Sequence, residues 1–413
     1  MKVVYFDYWT VGIHNFLTID EKLKKNGCET MLFHIGSFNN PVKEKEIINN
    51  IECYDISFYK TKFIYEALKT INPDVIISLN TTYILDRALI LACRALGIKS
   101  VFMMHGTRAV GKNLDIAISD AELTYGKLIP KLMRLKKYVK LTIPNYFYSK
   151  LKNRDSFWGI LGCLNVLIDT YRFPGRSFYL PKNPYELIHD RCLVYSNQYI
   201  EYYKKLGYSR NKITVTGNPK QDPLFQKLMD KSFCIDELPL QIKEFIDNNQ
   251  KYAVYIEESF VESDNLYGWT NDLRNKHLNE IAIKLKKYGY NLVVKLHPST
   301  NIDNINVNTN IILAKSVFLD NLVYFSDFAI SHISSAADIA ILLEKPLLVP
   351  TWGISKSIID YYISNEVANP WNNLDDEISL SINIDKRREY ILNNITITKP
   401  VAADTIVNNI LKI

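Results

Sequence analysis

The sequence predicts an α/β protein built of two Rossmann-like, doubly wound domains facing a cleft. Three observations carry this. Short apolar, β-branched runs alternate with stretches of helical spacing through both halves of the chain, which is the pattern of parallel sheets covered by crossover helices. The alternation breaks once, from about Leu114 to Leu180, and then resumes. A chain of 413 residues is long for one hydrophobic core and suits two. The expected organisation is a first domain over 1–235 with the insertion at about 114–180, a second domain over 250–385, and closing helices over 386–413. The polar, partly helical passage Lys231–Gln250 forms the join.

Taken in order, Lys2–Phe6 reads as a buried strand that delivers Asp7 to the loop DYWTVGIHN. A helix follows, ending near Lys25-Asn26-Gly27, and Glu29–Ile35 is the next strand. Lys43–Ile51 and Lys62–Ile71 have helical spacing. Asp74–Leu79 is a strand entered through Asn72-Pro73, and Arg87–Leu96 is a helix closed by Gly97. Ser100–Met104 is a strand running into His105-Gly106. Beyond the insertion, Arg191–Ser196, Gln198–Leu206 and Ile213–Thr216 repeat strand, helix, strand. Tyr252–Ile256 opens the second domain, and His277–Tyr288 is helical. Leu292–Leu296 is a strand that stops at His297-Pro298. Asp327–Ser331 is a buried-strand pattern broken by Ser334-Ser335, Ala336–Leu343 returns to helical spacing, and the LLVP after Pro346 begins another strand. Ala402–Ile413 is a terminal helix.

The second domain thus presents two polar tips. Ser334 and Ser335 stand at a helix start, where unsatisfied N–H groups and the positive dipole end favour phosphate. His297 comes from a parallel strand and belongs at the same carboxyl edge. The two could converge on one anionic ligand.

Composition narrows the classes. Hydrophobic residues at 47% and charged residues at 23% are those of an ordinary soluble globular chain. A net charge of +6 is too mild for this length to imply nucleic acid. The six cysteines are scattered without CxxC spacing and read as reduced thiols of a cytoplasmic protein. No GxGxxG occurs, so a dinucleotide fingerprint is absent. The N-terminus is not a secretion signal, and no apolar run approaches bilayer length, Trp158–Ile168 being the nearest. Between Leu123 and Arg154 lie nine basic residues and no acidic one, interleaved with Leu128, Ile129, Leu132, Met133 and Val139. That composition suits either peripheral contact with anionic lipid headgroups on the inner face of a membrane, or a basic solvated face. No DxD pair sits at a strand end and no His/Asp cluster has metal-ligand spacing, so no metal cofactor is expected.

Three motifs in order resemble one group of proteins. VTGNPKQD (Val215–Asp222) is similar to the segment closing the first domain of GT-B glycosyltransferases, notably those transferring Kdo. KLHP (Lys295–Pro298) resembles the His-Pro motif of polysialyltransferases, capsule Kdo transferases and teichoic-acid glycerophosphotransferases. SSAADIAILLEKPLLV (Ser334–Val349) resembles the paired-serine motif of the same proteins, and KPVAADTIVNNI their closing helix. The similarity covers about the second half of the chain; the first half matches in architecture.

This resemblance implies a GT-B fold and a CMP-activated donor carrying Kdo, sialic acid or a related nonulosonate, with a surface-glycan or lipid-linked acceptor. It implies that His297 and the serines hold the donor phosphate, stabilising the leaving nucleotide. Lys295 either supports that phosphate or crosses to solvent, and Pro298 completes the motif. Glu344 is a candidate for the donor's ribose. Glu257, like its neighbour Glu258, follows the first strand of the second domain and is a candidate for base or sugar; Asn218 could reach the donor from the inter-domain turn. A transferase also needs a base for the acceptor hydroxyl, for which His105 is the first choice and Asp7 the second. Arg108 and Lys112, near His105, suit an anionic donor carboxylate or acceptor phosphate. Rival readings are a CDP-glycerol or CDP-ribitol phosphotransferase, a UDP-sugar transferase or 2-epimerase, and a non-catalytic polysaccharide-assembly scaffold.

Overall fold

The computed structural model describes residues 1–38, 40–81, 83–106, 138–153, 186, 188–262, 266–332, 334–354 and 361–413. They fall into two compact units, Met1–Pro223 with Asn394–Ile413, and Leu224–Asn393.

The first unit is built on strands β1 (Lys2–Asp7), β2 (Glu29–His34), β3 (Lys45–Ile48), β4 (Ile51–Asp55), β5 (Val75–Ser78), β6 (Lys99–Met103), β7 (Arg191–Val194) and β8 (Ile213–Val215). Their order across the sheet is β3-β4-β2-β1-β5-β6-β7-β8. All pairs are parallel except β3 with β4. Alternate residues of each strand serve opposite faces. Val4, Phe6, Phe33 and Ile76 pack with helices Ile64–Ile71 and Ile84–Leu96, while Val3, Tyr5, Leu32 and Ile77 pack with Ile19, Leu23, Ile406, Val407 and Ile410. The sheet is therefore doubly wound. The last helix, Ala402–Leu411, covers the first sheet, and Asp222 holds its start by accepting from Ala402 N (3.1 Å) and Ala403 N (2.8 Å).

One expected helix is a hairpin. Lys43–Ile51 is replaced by β3, a turn and β4, with Asn49 and Asn50 both at positive φ (50° and 61°). Two consecutive left-handed residues make the primed turn whose twist suits paired strands, and asparagine tolerates that geometry.

Within the basic stretch, the described helix Ile143–Lys152 is part of the first unit's packing. Tyr146 joins the core cluster. Asn145 accepts from Ile64 N (2.8 Å) and donates to Lys62 O (2.7 Å). Lys150, read above as one of the basic charges offered to lipid or solvent, is buried and paired with Glu186 at 2.5 Å, where Tyr146 OH also donates. The rest of that stretch from 123 to 137, with Arg154, lies outside the described residues. Among those described, no helix is long and apolar enough to cross a membrane. Cys28, Cys53, Cys93 and Cys192 are buried free thiols and Cys234 is a half-buried one; Cys163 lies outside the described residues.

The second unit carries β9 (Lys251–Ile256), β10 (Tyr290–Lys295), β11 (Ile311–Ala314), β12 (Phe328–Ile330), β13 (Leu347–Pro350) and β14 (Asn369–Trp371), in the order β11-β10-β9-β12-β13-β14. Every pair is parallel. Helix Asn271–Lys287 covers one face through Leu278, Ile281 and Leu285. Because β10 and β12 flank β9, the segments leaving these three strands meet at one carboxyl edge.

Candidate functional site

The polar tips of the second unit stand on either side of the end of β9. On the β10 side, residues 297–300 make a tight turn closed by Thr300 N donating to His297 O at 3.0 Å. His297 is half-buried; its Nδ1 accepts from Ser299 N (3.2 Å) and lies 2.7 Å from Ser299 Oγ. A ring nitrogen that accepts a backbone N–H carries no proton, so the proton of the neutral ring sits on Nε2. Burial, opposed by the charge of Glu262 and aided to a smaller extent by that of Lys295, holds the imidazole below its usual value of 6.5. His297 is thus a neutral Nε2–H donor at physiological pH. Pro298 is exposed at the turn's apex.

On the β12 side, Ser334 caps a 3-10 turn, Ser335–Ala337, its Oγ accepting from Ala336 N at 3.3 Å. The α-helix beyond it is only Asp338–Leu342, shorter than the expected Ala336–Leu343. A single turn has little macrodipole, and the N–H groups of Ser334, Ala336 and Ala337 are taken by Glu258, Ser334 Oγ and Ser334 O, so what this tip presents is its hydroxyls. Ser335 is exposed. The Ser334 carbonyl accepts from Tyr362 OH (2.9 Å), which also donates to buried Asp338 (3.2 Å), as does Tyr390 OH (2.8 Å). Burial pushes the Asp338 carboxyl up to about 6 against these two bonds.

Glu257 and Glu258, consecutive at the end of β9, turn to opposite tips. Glu257 is buried; its Oε2 accepts from His297 N (3.0 Å) and Thr300 Oγ1 (2.8 Å), and its Oε1 is held by Arg274 at 3.0 Å. Both oxygens are engaged inside the protein, so Glu257 supports the His297 turn rather than offering itself to base or sugar. Glu258 Oε1 accepts from Ser331 Oγ and from Ser334 N, each at 2.9 Å.

The remaining candidates of this unit stand apart. Lys295 Nζ is turned to the carbonyls of Leu296 (3.1 Å) and Lys315 (2.7 Å), tying the ends of β10 and β11. Glu344 is exposed, at positive φ (53°), beyond the end of the short helix and just before β13 begins. Its neighbour Lys345 bonds Ser326 O, which precedes β12. That is the amino edge of the sheet, so Glu344 is not brought to His297 and the serines. His332 is fully buried against Trp269 and His277, with Tyr255 OH 3.1 Å from its Nδ1, and burial pushes it down to about 3. Arg274, Thr300 and Ser331 were not singled out in the sequence. The Glu-Glu pair at a strand end was the one signal that led towards them.

In the first unit, Asp7 ends β1 with its side chain buried. Oδ1 accepts from Tyr8 N (2.7 Å), and Oδ2 lies so close to Gly12 that a Cβ there would be 1.4 Å away. Burial raises this carboxyl from 3.8 to about 6. His105, after β6, has Nδ1 at 2.9 Å from Leu79 O. A carbonyl only accepts, so Nδ1 carries the proton and the lone pair is on Nε2. β5 separates β1 from β6, so Asp7 and His105 leave the same sheet edge two strands apart. Asn218 caps the 3-10 turn Pro219–Gln221 by accepting from Lys220 N (3.1 Å). Arg108 and Lys112 lie outside the described residues. Among those described, no group of three or more His, Cys, Asp or Glu is placed to hold a metal ion.

Comparison with known proteins places this architecture. A candidate UDP-N-acetylglucosamine 2-epimerase from Listeria monocytogenes superposes with a TM-score of 0.51 at 12% identity, over 99% of this chain and 95% of that one. The UDP-GlcNAc 2-epimerase of Methanocaldococcus jannaschii, in complex with UDP-GlcNAc and UDP, gives 0.50 at 16% identity over the whole of both chains. The fold is GT-B. The calicheamicin glycosyltransferase CalG4 matches less well, with a TM-score of 0.48 at 10% identity over 99% of this chain and 91% of its own. No family model matches the sequence, and no curated protein matches it. At such identities GT-B describes the backbone; the chemistry rests on the side chains above.

Proposed function

We propose that this GT-B protein is a metal-independent glycosyltransferase that moves a nonulosonic acid or Kdo-type sugar from a CMP-activated donor to a surface-glycan or lipid-linked acceptor. The supporting observation is the pair of polar tips beside the end of β9, one offering the neutral Nε2–H of His297 and the other the hydroxyls of Ser334 and Ser335. As the glycosidic bond breaks, negative charge grows on the departing phosphate oxygen, and preoriented donors there act more strongly on the transition state than on the ground state. They fill the role a divalent cation takes elsewhere, so chelators should not lower the rate. If the reaction inverts, the acceptor proton goes to His105, through Nε2, or to Asp7, which is ionised above about pH 6. Retention would need neither.

The rival that shares this backbone is a UDP-sugar epimerase. Incubation with CMP-Kdo or CMP-sialic acid, with and without a pooled glycolipid acceptor, separates the two. Acceptor-dependent release of CMP with a new glycoside, unaffected by EDTA, supports the transferase. Interconversion of UDP-GlcNAc with no acceptor, and no CMP release, overturns it.

A further inference from the structure

We propose that Glu257 and Glu258 are positioning residues that set the two halves of the donor-phosphate site before any ligand arrives, an inference that rests on the nucleotide-binding reading above. They are neighbours in sequence at the end of the central strand β9, whose flanking strands β10 and β12 carry the two tips. Glu257 grips the first tip at both ends. Its Oε2 takes the N–H of His297 and the hydroxyl of Thr300, the first and last residues of the turn that Thr300 N and His297 O close. The carboxylate is fixed in turn by Arg274, which Glu262 (2.8 Å) and Asn271 (2.6 Å) hold from behind. Lys315 secures the Thr300 carbonyl at 2.9 Å. With the turn closed, Ser299 N stays on His297 Nδ1, and that bond is what keeps the ring proton on Nε2.

Glu258 does the corresponding work on the other side. By accepting from Ser331 Oγ and Ser334 N with one oxygen, it draws together the end of β12 and the serine tip. Neither glutamate is a catalytic residue. Each acts through a neighbour that meets the ligand, in the way an outer shell orients a binding group.

Thr300→Val tests the first half without unpairing the buried Arg274. It is nearly isosteric and removes the hydroxyl from Glu257 Oε2, and Thr300→Ser restores it. Glu258→Ala tests the second half, with Glu258→Gln as the variant that keeps an acceptor. The probe is CMP, measured by calorimetry, together with 15N chemical shifts of the His297 ring, which report the tautomer without any ligand. The expected result is a Kd for CMP raised roughly five- to tenfold in Thr300→Val and in Glu258→Ala, the scale of one misplaced hydrogen bond. Thr300→Val should also lose the pure Nε2–H signature of His297, while the Ser and Gln variants return towards wild type. A folded Thr300→Val protein with unchanged tautomer and unchanged Kd overturns the role of Glu257, and an unchanged Kd in folded Glu258→Ala overturns that of Glu258. If the wild-type protein binds no CMP, the functional reading fails instead. The tautomer shift in Thr300→Val then still decides whether Glu257 positions His297.

Discussion

Among the described residues no cation meets the buried Asp7 carboxylate, and a carboxylate held so costs stability. Its carboxyl is packed against the Cα of Gly12 and raised from 3.8 to about 6. For a carboxyl raised on folding, the native state binds the proton more tightly than the unfolded state. Stability is therefore full below about pH 3.8, falls as pH rises towards 6, and is lost to that extent above it. Asp7→Asn removes the ionisation. Denaturant unfolding at pH 7.5 should show the variant more stable by up to about 3 kcal/mol, while a transferase using Asp7 as base loses its activity. Equal stability would mean that the carboxylate is not strained; greater stability with full activity would remove Asp7 from the reaction and leave His105. Gly12→Ala should act on the same residue from the other side, since its Cβ must displace Asp7. What the sequence showed here was position, Asp7 after an apolar strand. The raised proton affinity depends on Gly12, which has no signature beyond being a glycine in a loop.

At the level of elements, legibility followed hydrophobic periodicity and failed where local geometry decides. Most strands and helices fall within a few residues of their expected places because one apolar face of each is buried against a neighbour. The β3–β4 hairpin was read as a helix because KEKEIINNI mixes charges and isoleucines at a spacing compatible with both periods. Asn49 and Asn50, adopting positive φ in succession, decide for the turn. The paired serines were correctly put at a strand-to-helix junction, but their helix is curtailed to Asp338–Leu342. The basic stretch is the third case. A count of charges cannot tell a solvated lysine from a buried one, and Lys150 is buried on Glu186, a partner 36 residues away. Lys150→Met leaves that glutamate without its cation, and thermal unfolding should register a loss of about 3–5 kcal/mol. The double change Lys150→Met with Glu186→Leu should recover most of it. A single variant as stable as wild type would show that the pair is not held in solution and would return Lys150 to the surface charges.

For the whole molecule, the two-unit α/β plan was legible because alternation of strand and helix persists through roughly 110 residues before the interruption at 114–180 and roughly 230 after it, and few folds permit that. The candidate site was legible in its first layer only. His297, Ser334 and Ser335 announce themselves by standing at strand ends. Thr300, Arg274 and Ser331 join them through contacts that span 17 to 73 residues of sequence and leave no local pattern. The fold does not choose a donor, since UDP-GlcNAc 2-epimerase structures share the backbone; under the proposed reading that choice falls to the assembled layer and to contacts with base and sugar. The central claim is that His297 and the serine tip hold a nucleotide's phosphate. Its most direct test is a calorimetric titration of wild type and His297→Ala with CMP, CDP, UMP, UDP and GDP, each with and without Mg²⁺. The account predicts metal-independent binding that prefers CMP and is weakened roughly tenfold or more in His297→Ala, as loss of a hydrogen bond to a charged group requires. Binding unchanged in the variant, or no binding of any nucleotide at millimolar concentration, would contradict it.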